Sequence, residues 1–142
     1  MEVTEKDVAR IPVRNLRVPR GDFVAVWVEA ERVCRVTGGQ GVCDWYAGGV
    51  VTTCRWLAGA MVRLGDGPWF PAHSPVGRRT ATAYEELIEA EYLAAELLDV
   101  RRPNLAVHRP GWCEAIRATL RWAWRHDGPP PLELPPAGPP DR

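Results

Sequence analysis

One long, nearly uncharged run limits what this chain can fold into more than any other stretch does. The run extends from Asp44 to Leu64 and reads DWYAGGVVTTCRWLAGAMVRL. A soluble domain must bury such a segment from several sides, so the run predicts the central element of a core. Arg55 lies near its middle, and a guanidinium buried there needs a polar or charged partner.

A membrane span is the alternative interpretation of this run. A charged side chain at the centre of an inserted helix costs roughly 2.5–3.5 kcal/mol on insertion scales. Glycines and threonines dilute the hydrophobicity further, so the sequence favours a helix over 44–64 inside a soluble protein.

Two faces separate when this helix is drawn at 100° per residue. The apolar face is predicted to enter the core. The second face carries small residues, which let another backbone or a flat ligand approach closely. It contains Gly48, Thr52, Arg55 and Gly59, with Trp56 beside it.

Three further segments show helical periodicity, and together they predict an all-α fold. The first, 22–37, begins at Asp22 as N-cap and ends at Gly38, although FVAVWV at its start would also suit a strand. The others begin at Thr80 or Thr82 and at Pro110. We predict a single helical domain over 1–128, a compact bundle of four main helices at 22–37, 44–64, 80–99 and 110–126.

Segments outside these helices are rich in proline and glycine. A short helix from Thr4 to Ile11 precedes an extended basic arm, PVRNLRVPRG, and residues 65–79 form an irregular loop. The chain ends in a proline-rich tail, 129–142, expected to be extended. The tail is either a disordered terminus or a docking segment for a partner protein.

Composition bounds the class of protein. The chain has 142 residues, a formal net charge of zero and 25% charged residues, which is typical of one globular domain. Lys6 is the only lysine beside 17 arginines among the 18 basic residues, a bias that indicates a GC-rich, most plausibly bacterial, genome. The charged N-terminal segment does not resemble a signal peptide, so we expect a cytoplasmic protein.

Four cysteines, at 34, 43, 54 and 113, form no CxxC pair. Reduced, mostly buried thiols are the expected state, with a Cys34–Cys43 disulfide or a metal site as alternatives. His73, His108 and His126 add no local ligand pair, so we predict no metal and no cofactor. Cys43, at the entrance of the 44–64 helix, is the best single nucleophile, but no base lies near it in sequence. We predict no catalytic residue.

Arg55 and Glu91 each occupy a helix position that favours an apolar side chain. We expect them to form an internal ion pair that docks the second predicted helix on the third. The alternative is a polar pocket lined by Arg55, Glu91, Thr52 and Trp56, holding a small anionic or amide-bearing ligand.

An arginine stripe, defined as Arg117, Arg121 and Arg125, repeats every fourth residue of the last helix. Such a stripe suits phosphate contacts, and the basic arm could extend it. The 80–99 helix carries a matching acidic face, so a salt-bridged surface is the competing interpretation. Nucleic acid is the less favoured partner because no base-reading motif accompanies the arginines.

The function expected from these features is that of a small, non-enzymatic accessory or adaptor protein that binds another protein. Its predicted contact residues are Trp69 and Phe70 in the loop, the arginine stripe and the tail. A homo-oligomer is compatible with the sequence. The alternatives are a ligand-binding protein or enzyme built on the Arg55 and Glu91 pocket, and a nucleic-acid-binding protein.

Overall fold

The computed structural model describes residues 1–136 and is mainly helical, which confirms the predicted class. Four helices have twelve or more residues and overlap the four predicted ranges. They are α2 (Arg20–Gly39), α3 (Trp45–Leu57), α4 (Glu85–Glu96) and α7 (Trp112–Ala123). Among the described residues there are also three shorter helices: α1 (Glu5–Ala9), which precedes α2, and α5 (Leu98–Arg101) and α6 (Pro103–His108), which lie between α4 and α7. The regular four-helix bundle stays a prediction.

The α3 helix lies at the centre, between α2 and α7, and α4 packs on α7. Eight of the residues of α3 are buried, including Trp56 and Leu57. The α3 and α7 helices approach closely at Gly49, where an added Cβ would lie 2.7 Å from the Ala115 Cβ and 2.9 Å from the Trp112 carbonyl oxygen. Gly49 is not on the predicted small-residue face, and an added Cβ at the two glycines of that face, Gly48 and Gly59, would have no neighbour closer than 3.5 Å. Within residues 1–136 no helix is both long and apolar enough to cross a membrane.

Several predicted helix ends are wrong. The α2 helix starts at Arg20 after Pro19, so Asp22 lies in its first turn rather than at its cap. Tyr84, not a threonine, precedes α4, and Gly111, with φ of +90°, precedes α7. Asp44 does cap α3 as predicted, since its carboxylate accepts a hydrogen bond from the Ala47 amide at 3.0 Å.

The largest boundary error is the C-terminal end of α3. The helix ends at Leu57 rather than Leu64, because Gly59 adopts a left-handed conformation with φ of +65°. The chain then forms a two-stranded antiparallel hairpin of β1 (Met61–Val62) and β2 (Phe70–Pro71). The hairpin carries Trp69 and Phe70 and forms one wall of the site described below.

The predicted basic arm is held against the domain. Its Val13–Asn15 segment is a turn of 3₁₀ helix. Asn15, which is only 2% exposed, donates hydrogen bonds to the carbonyls of Leu57 and Ala83. The Arg17 amide donates to the Ala123 carbonyl at 2.7 Å, so the arm connects α3, α4 and α7.

The predicted tail begins by folding back onto α3. Pro131 is buried, and its carbonyl accepts a hydrogen bond from the Tyr46 hydroxyl at 2.8 Å. Leu132 packs against the core. Residues 137–142 of the predicted tail lie outside the described residues.

Candidate binding clefts around Arg55

Arg55 pairs with Glu31 of α2, and the predicted pair with Glu91 is wrong. The Nε and Nη2 atoms of Arg55 donate to the two carboxylate oxygens of Glu31, each at 2.8 Å. The Glu31 side chain is 3% exposed and that of Arg55 is 28% exposed. The pair therefore joins α2 to α3, and the guanidinium reaches the surface.

Glu31 also receives two further donors. The Trp27 indole Nε1 donates at 3.0 Å and the Met1 ammonium group at 3.1 Å. Glu31 was not among the site residues predicted from the sequence. The signal that identifies it is its spacing, four residues after Trp27 and eight after Phe23, both fully buried.

Glu91 is buried as predicted, at 4% exposure, but it binds backbone rather than arginine. Its carboxylate accepts hydrogen bonds from the amides of Val76 at 2.8 Å and Gly77 at 3.1 Å. The loop before α4 returns over this helix and satisfies the charge, a contact that requires the tertiary fold. The pocket predicted from Arg55, Glu91, Thr52 and Trp56 therefore does not form as a unit, and Trp56 is buried with its indole Nε1 bonded to the Ala81 carbonyl.

Two clefts border Arg55, and residues of the hairpin line both of them. The main cleft, between the N-terminal segment and the hairpin, has a volume of about 640 Å³. It is lined by Met1, Glu2, Thr4, Lys6, Asp7, Arg10, Arg55, Met61, Val62, Arg63, Gly65 and Trp69. The side cleft, of about 160 Å³, is lined by Thr52, Arg55, Val62, Leu64, Phe70, Ala72, His73 and Arg78.

Positive charge exceeds negative charge in the main cleft. Lys6, Arg10 and Arg63 line it beside Arg55, and none of these three forms an ion pair within residues 1–136. Of the two acidic lining residues, Asp7 is occupied by the capping box with Thr4.

Trp69 supplies the apolar element of the main cleft. It is 59% exposed, and the Arg63 guanidinium lies 4.7 Å from its ring centroid. Arginine stacked on an indole face keeps its N–H groups free at the edges for a carboxylate or phosphate. Phe70, the second predicted contact residue, is half-buried in the side cleft, with its ring 5.6 Å from that of His73.

The arginine stripe lies on another face and is fully engaged with acidic side chains. Arg117 binds Asp99 at 3.1 Å, Arg121 binds Glu96 at 2.6 Å, and Arg125 binds Glu89. The hydrogen bond from Arg121 lowers the pKa of Glu96 and in return raises the pKa of Arg121. The hydrogen bond from Arg117 likewise lowers the pKa of Asp99.

The cysteines form no disulfide. All four are free, with Cys54 and Cys113 buried and Cys43 exposed. Burial raises the pKa values of Cys34, Cys54 and Cys113, which suppresses the reactive thiolate. In residues 1–136, His, Cys, Asp and Glu side chains do not gather into a group of three that could hold a metal ion.

Comparison with known proteins gives no relative: no protein-family model matches the sequence, and no curated protein or solved structure is significantly similar to it.

Proposed function

We propose that this protein is a small cytoplasmic, non-enzymatic adaptor that binds an acidic segment of a partner protein in the main cleft. The observation that carries the proposal is the meeting of Lys6, Arg10, Arg63 and Trp69 at one opening. The three cations lack intramolecular carboxylate partners among the described residues, and Trp69 is exposed beside them.

The cleft suits a peptide carrying carboxylates and one apolar side chain. Protein–protein contacts commonly centre on a tryptophan or arginine surrounded by polar groups. Trp69 and Met61 offer the apolar contact, while the cations attract the acidic partner and exclude a basic one. The volume of about 640 Å³ lies within the roughly 300–1,000 Å³ range of binding pockets.

The arginine stripe supports partner binding less well, because each of its side chains already binds a carboxylate. A nucleic-acid phosphate would have to displace Asp99, Glu96 and Glu89 and would meet their negative charge. We therefore place the contact surface at the main cleft and not at the stripe.

The test uses the whole protein and two fluorescent peptides of equal length, one of glutamates around a central leucine and one of lysines around the same leucine. Fluorescence anisotropy at low salt is expected to show binding of the acidic peptide alone, weakened by added salt. Trp69→Ala should weaken this binding about tenfold, the equivalent of about 1.4 kcal/mol, and Arg63→Gln should weaken it as well.

Matched control variants lie outside the cleft. Tyr84→Ala removes an exposed aromatic side chain and Arg101→Gln removes an exposed arginine, and neither should change the anisotropy titration. Equal binding of both peptides, or equal losses in the control variants, would show that the main cleft is not a specific site.

A further inference from the structure

We propose that the side cleft is a second site, one that binds a phosphoryl group or a similar tetrahedral oxyanion. Its polar lining consists of Arg55, Arg78, His73 and the Thr52 hydroxyl, and no carboxylate lines it among the described residues. Glu31 offsets the charge of Arg55 from behind the cleft, and Arg78 leaves the lining with an excess of positive charge, which favours an anion over a cation or a neutral ligand.

Arg55 enters this cleft in a fixed orientation. Glu31 holds its Nε and Nη2 atoms at 2.8 Å, and the described residues provide no hydrogen-bond acceptor for Nη1. A guanidinium that is already ordered loses little conformational entropy when it binds a second anion. Arg55 therefore keeps its Nη1 group available to donate a further hydrogen bond to an anion.

Arg78 occupies a strained backbone position. Its φ is +54°, in the left-handed region that is unfavourable for a residue with a Cβ and that glycine adopts freely. It is exposed and forms no ion pair within residues 1–136. An arginine where glycine would be more stable points to a use for the guanidinium.

The loop that presents Arg78 is held from both ends. The buried Ser74 hydroxyl accepts a hydrogen bond from the Arg79 amide at 2.8 Å, and the Arg78 amide donates to the Ser74 carbonyl at 3.1 Å. Glu91 fixes the amides of Val76 and Gly77 between them. The buried carboxylate of Glu91 thus orders the loop that carries Arg78.

Apolar side chains form the remaining walls of the side cleft. Val62, Phe70 and Ala72 line it, and the Phe70 ring packs beside His73. Such walls reduce the local dielectric constant, which strengthens the attraction between the arginines and an oxyanion.

Two kinds of ligand could supply this phosphoryl group. One is a small phosphorylated molecule, and the other is a phosphorylated side chain on the acidic segment proposed for the main cleft. The clefts share Arg55 and Val62, so one peptide can reach both. The second source rests on the proposed function, whereas the first does not.

Isothermal titration calorimetry with inorganic phosphate, and separately with phenyl phosphate, tests the site on the whole protein. Saturable binding with a millimolar or lower dissociation constant is expected for both probes. Arg78→Gly should weaken it at least tenfold and should raise the melting temperature, because glycine relieves the left-handed strain. A purely structural role for Arg78 would instead lower the melting temperature and leave phosphate binding unchanged.

Two further variants localise the site. His73→Gln should weaken phosphate binding, whereas Arg102→Gln, next to Arg78 on its other side but outside the side cleft, should not. Absence of saturation in the wild-type protein, unchanged binding in Arg78→Gly, or a loss in Arg102→Gln without a loss in His73→Gln would each overturn the proposal.

A third experiment distinguishes the phosphoryl site from the proposed binding of an acidic peptide in the main cleft. Arg63→Gln should weaken binding of the acidic peptide and leave phosphate binding intact, because Arg63 lines only the main cleft. If the free probes bind and a phosphoserine in the acidic peptide adds no affinity, the source is a small molecule. If that phosphoserine strengthens peptide binding and Arg78→Gly removes the gain, the source is the partner protein.

Discussion

Arginines on two faces of this protein have opposite surroundings. On α7 the arginine stripe binds one carboxylate per guanidinium, and these carboxylates lie on α4 and α5. At the main and side clefts Arg63 and Arg78 form no ion pair within the described chain, and Arg55 is only partly occupied. Arginine therefore links neighbouring helices through ion pairs at the stripe, whereas at the clefts it keeps N–H groups available for a ligand.

The difference shows why a pattern of arginines in a sequence is a weak guide to a binding site. The stripe is conspicuous in the sequence because its spacing is helical, yet each of its arginines already has a carboxylate partner on α4 or α5. The cleft cations, at positions 6, 10, 55, 63 and 78, have no common period. They are brought together by α1, α3, the hairpin and the loop before α4.

The largest expected effect on stability comes from Glu31→Gln, which removes the negative charge of the carboxylate that binds Arg55. Removing its charge leaves the Arg55 guanidinium and the Met1 ammonium without a counter-charge, so the free energy of unfolding should fall by about 3 kcal/mol. Urea denaturation measures the change. Glu96→Gln, the matched change in a stripe pair, should cost less than about 1 kcal/mol, and equal losses would erase the contrast between the two regions.

A smaller effect, about 2 kcal/mol, is expected from Gly49→Ala, since overpacking a dense contact costs roughly 1–3 kcal/mol. The new Cβ would collide with Ala115 and with the Trp112 backbone, shifting α7 and the stripe it carries. Gly48→Ala is the control, because its Cβ would meet the Trp112 ring at an ordinary 3.5 Å. Thermal unfolding of the two variants should differ clearly, and similar behaviour would show that α7 is not placed by this contact.

Arg121→Gln should cost still less, below about 1 kcal/mol, because the pair with Glu96 is largely solvated. Retention on heparin, a polyanion, should also stay the same, since the arginine is neutralised by its own partner. The combined Lys6→Gln and Arg63→Gln variant should elute at lower salt. If Arg121→Gln instead eluted at lower salt than the Lys6→Gln and Arg63→Gln variant, the stripe would be the better candidate for a nucleic-acid surface.

The smallest effect is the pH dependence of the stripe pairs. The folded-state pKa values of Glu96 and Asp99 are lowered by Arg121 and Arg117. Their stabilisation is therefore present above the unfolded-state values of about 4.3 and 3.9 and is lost as pH falls through the lower folded-state values. The stability difference between wild type and Arg117→Gln/Arg121→Gln should shrink from about pH 7 to about pH 3, whereas a difference that grows in acid would contradict the assignment.

Sequence alone predicted the helical class because α2, α3, α4 and α7 carry long apolar periodicities. It also predicted the Asp44 cap, a local interaction within one turn. It missed the end of α3, where Gly59 turns left-handed, and the hairpin, whose two-residue strands depend on pairing across a loop. The short α5 and α6 helices lack enough residues for a period to be visible.

For the site, the sequence identified Arg55 and Glu91 as charges in buried positions but joined them wrongly. Which carboxylate Arg55 meets depends on α2 packing against α3, and Glu91 is satisfied by backbone amides that have no signature in the sequence. Arg78 was not predicted, because a left-handed φ at an arginine is visible only in the structure.

Asn15 has a consequence for the order in which the molecule assembles. Its two hydrogen bonds join residues 42 and 68 positions apart, so each needs the N-terminal arm to meet a distant segment, the end of α3 in one case and the residues before α4 in the other. Contacts of such long range carry a large loop-closure cost and form after the more local packing of α2 on α3. We therefore expect the Asn15 hydrogen bonds to form late in folding, so that they slow unfolding and contribute little to the rate of folding.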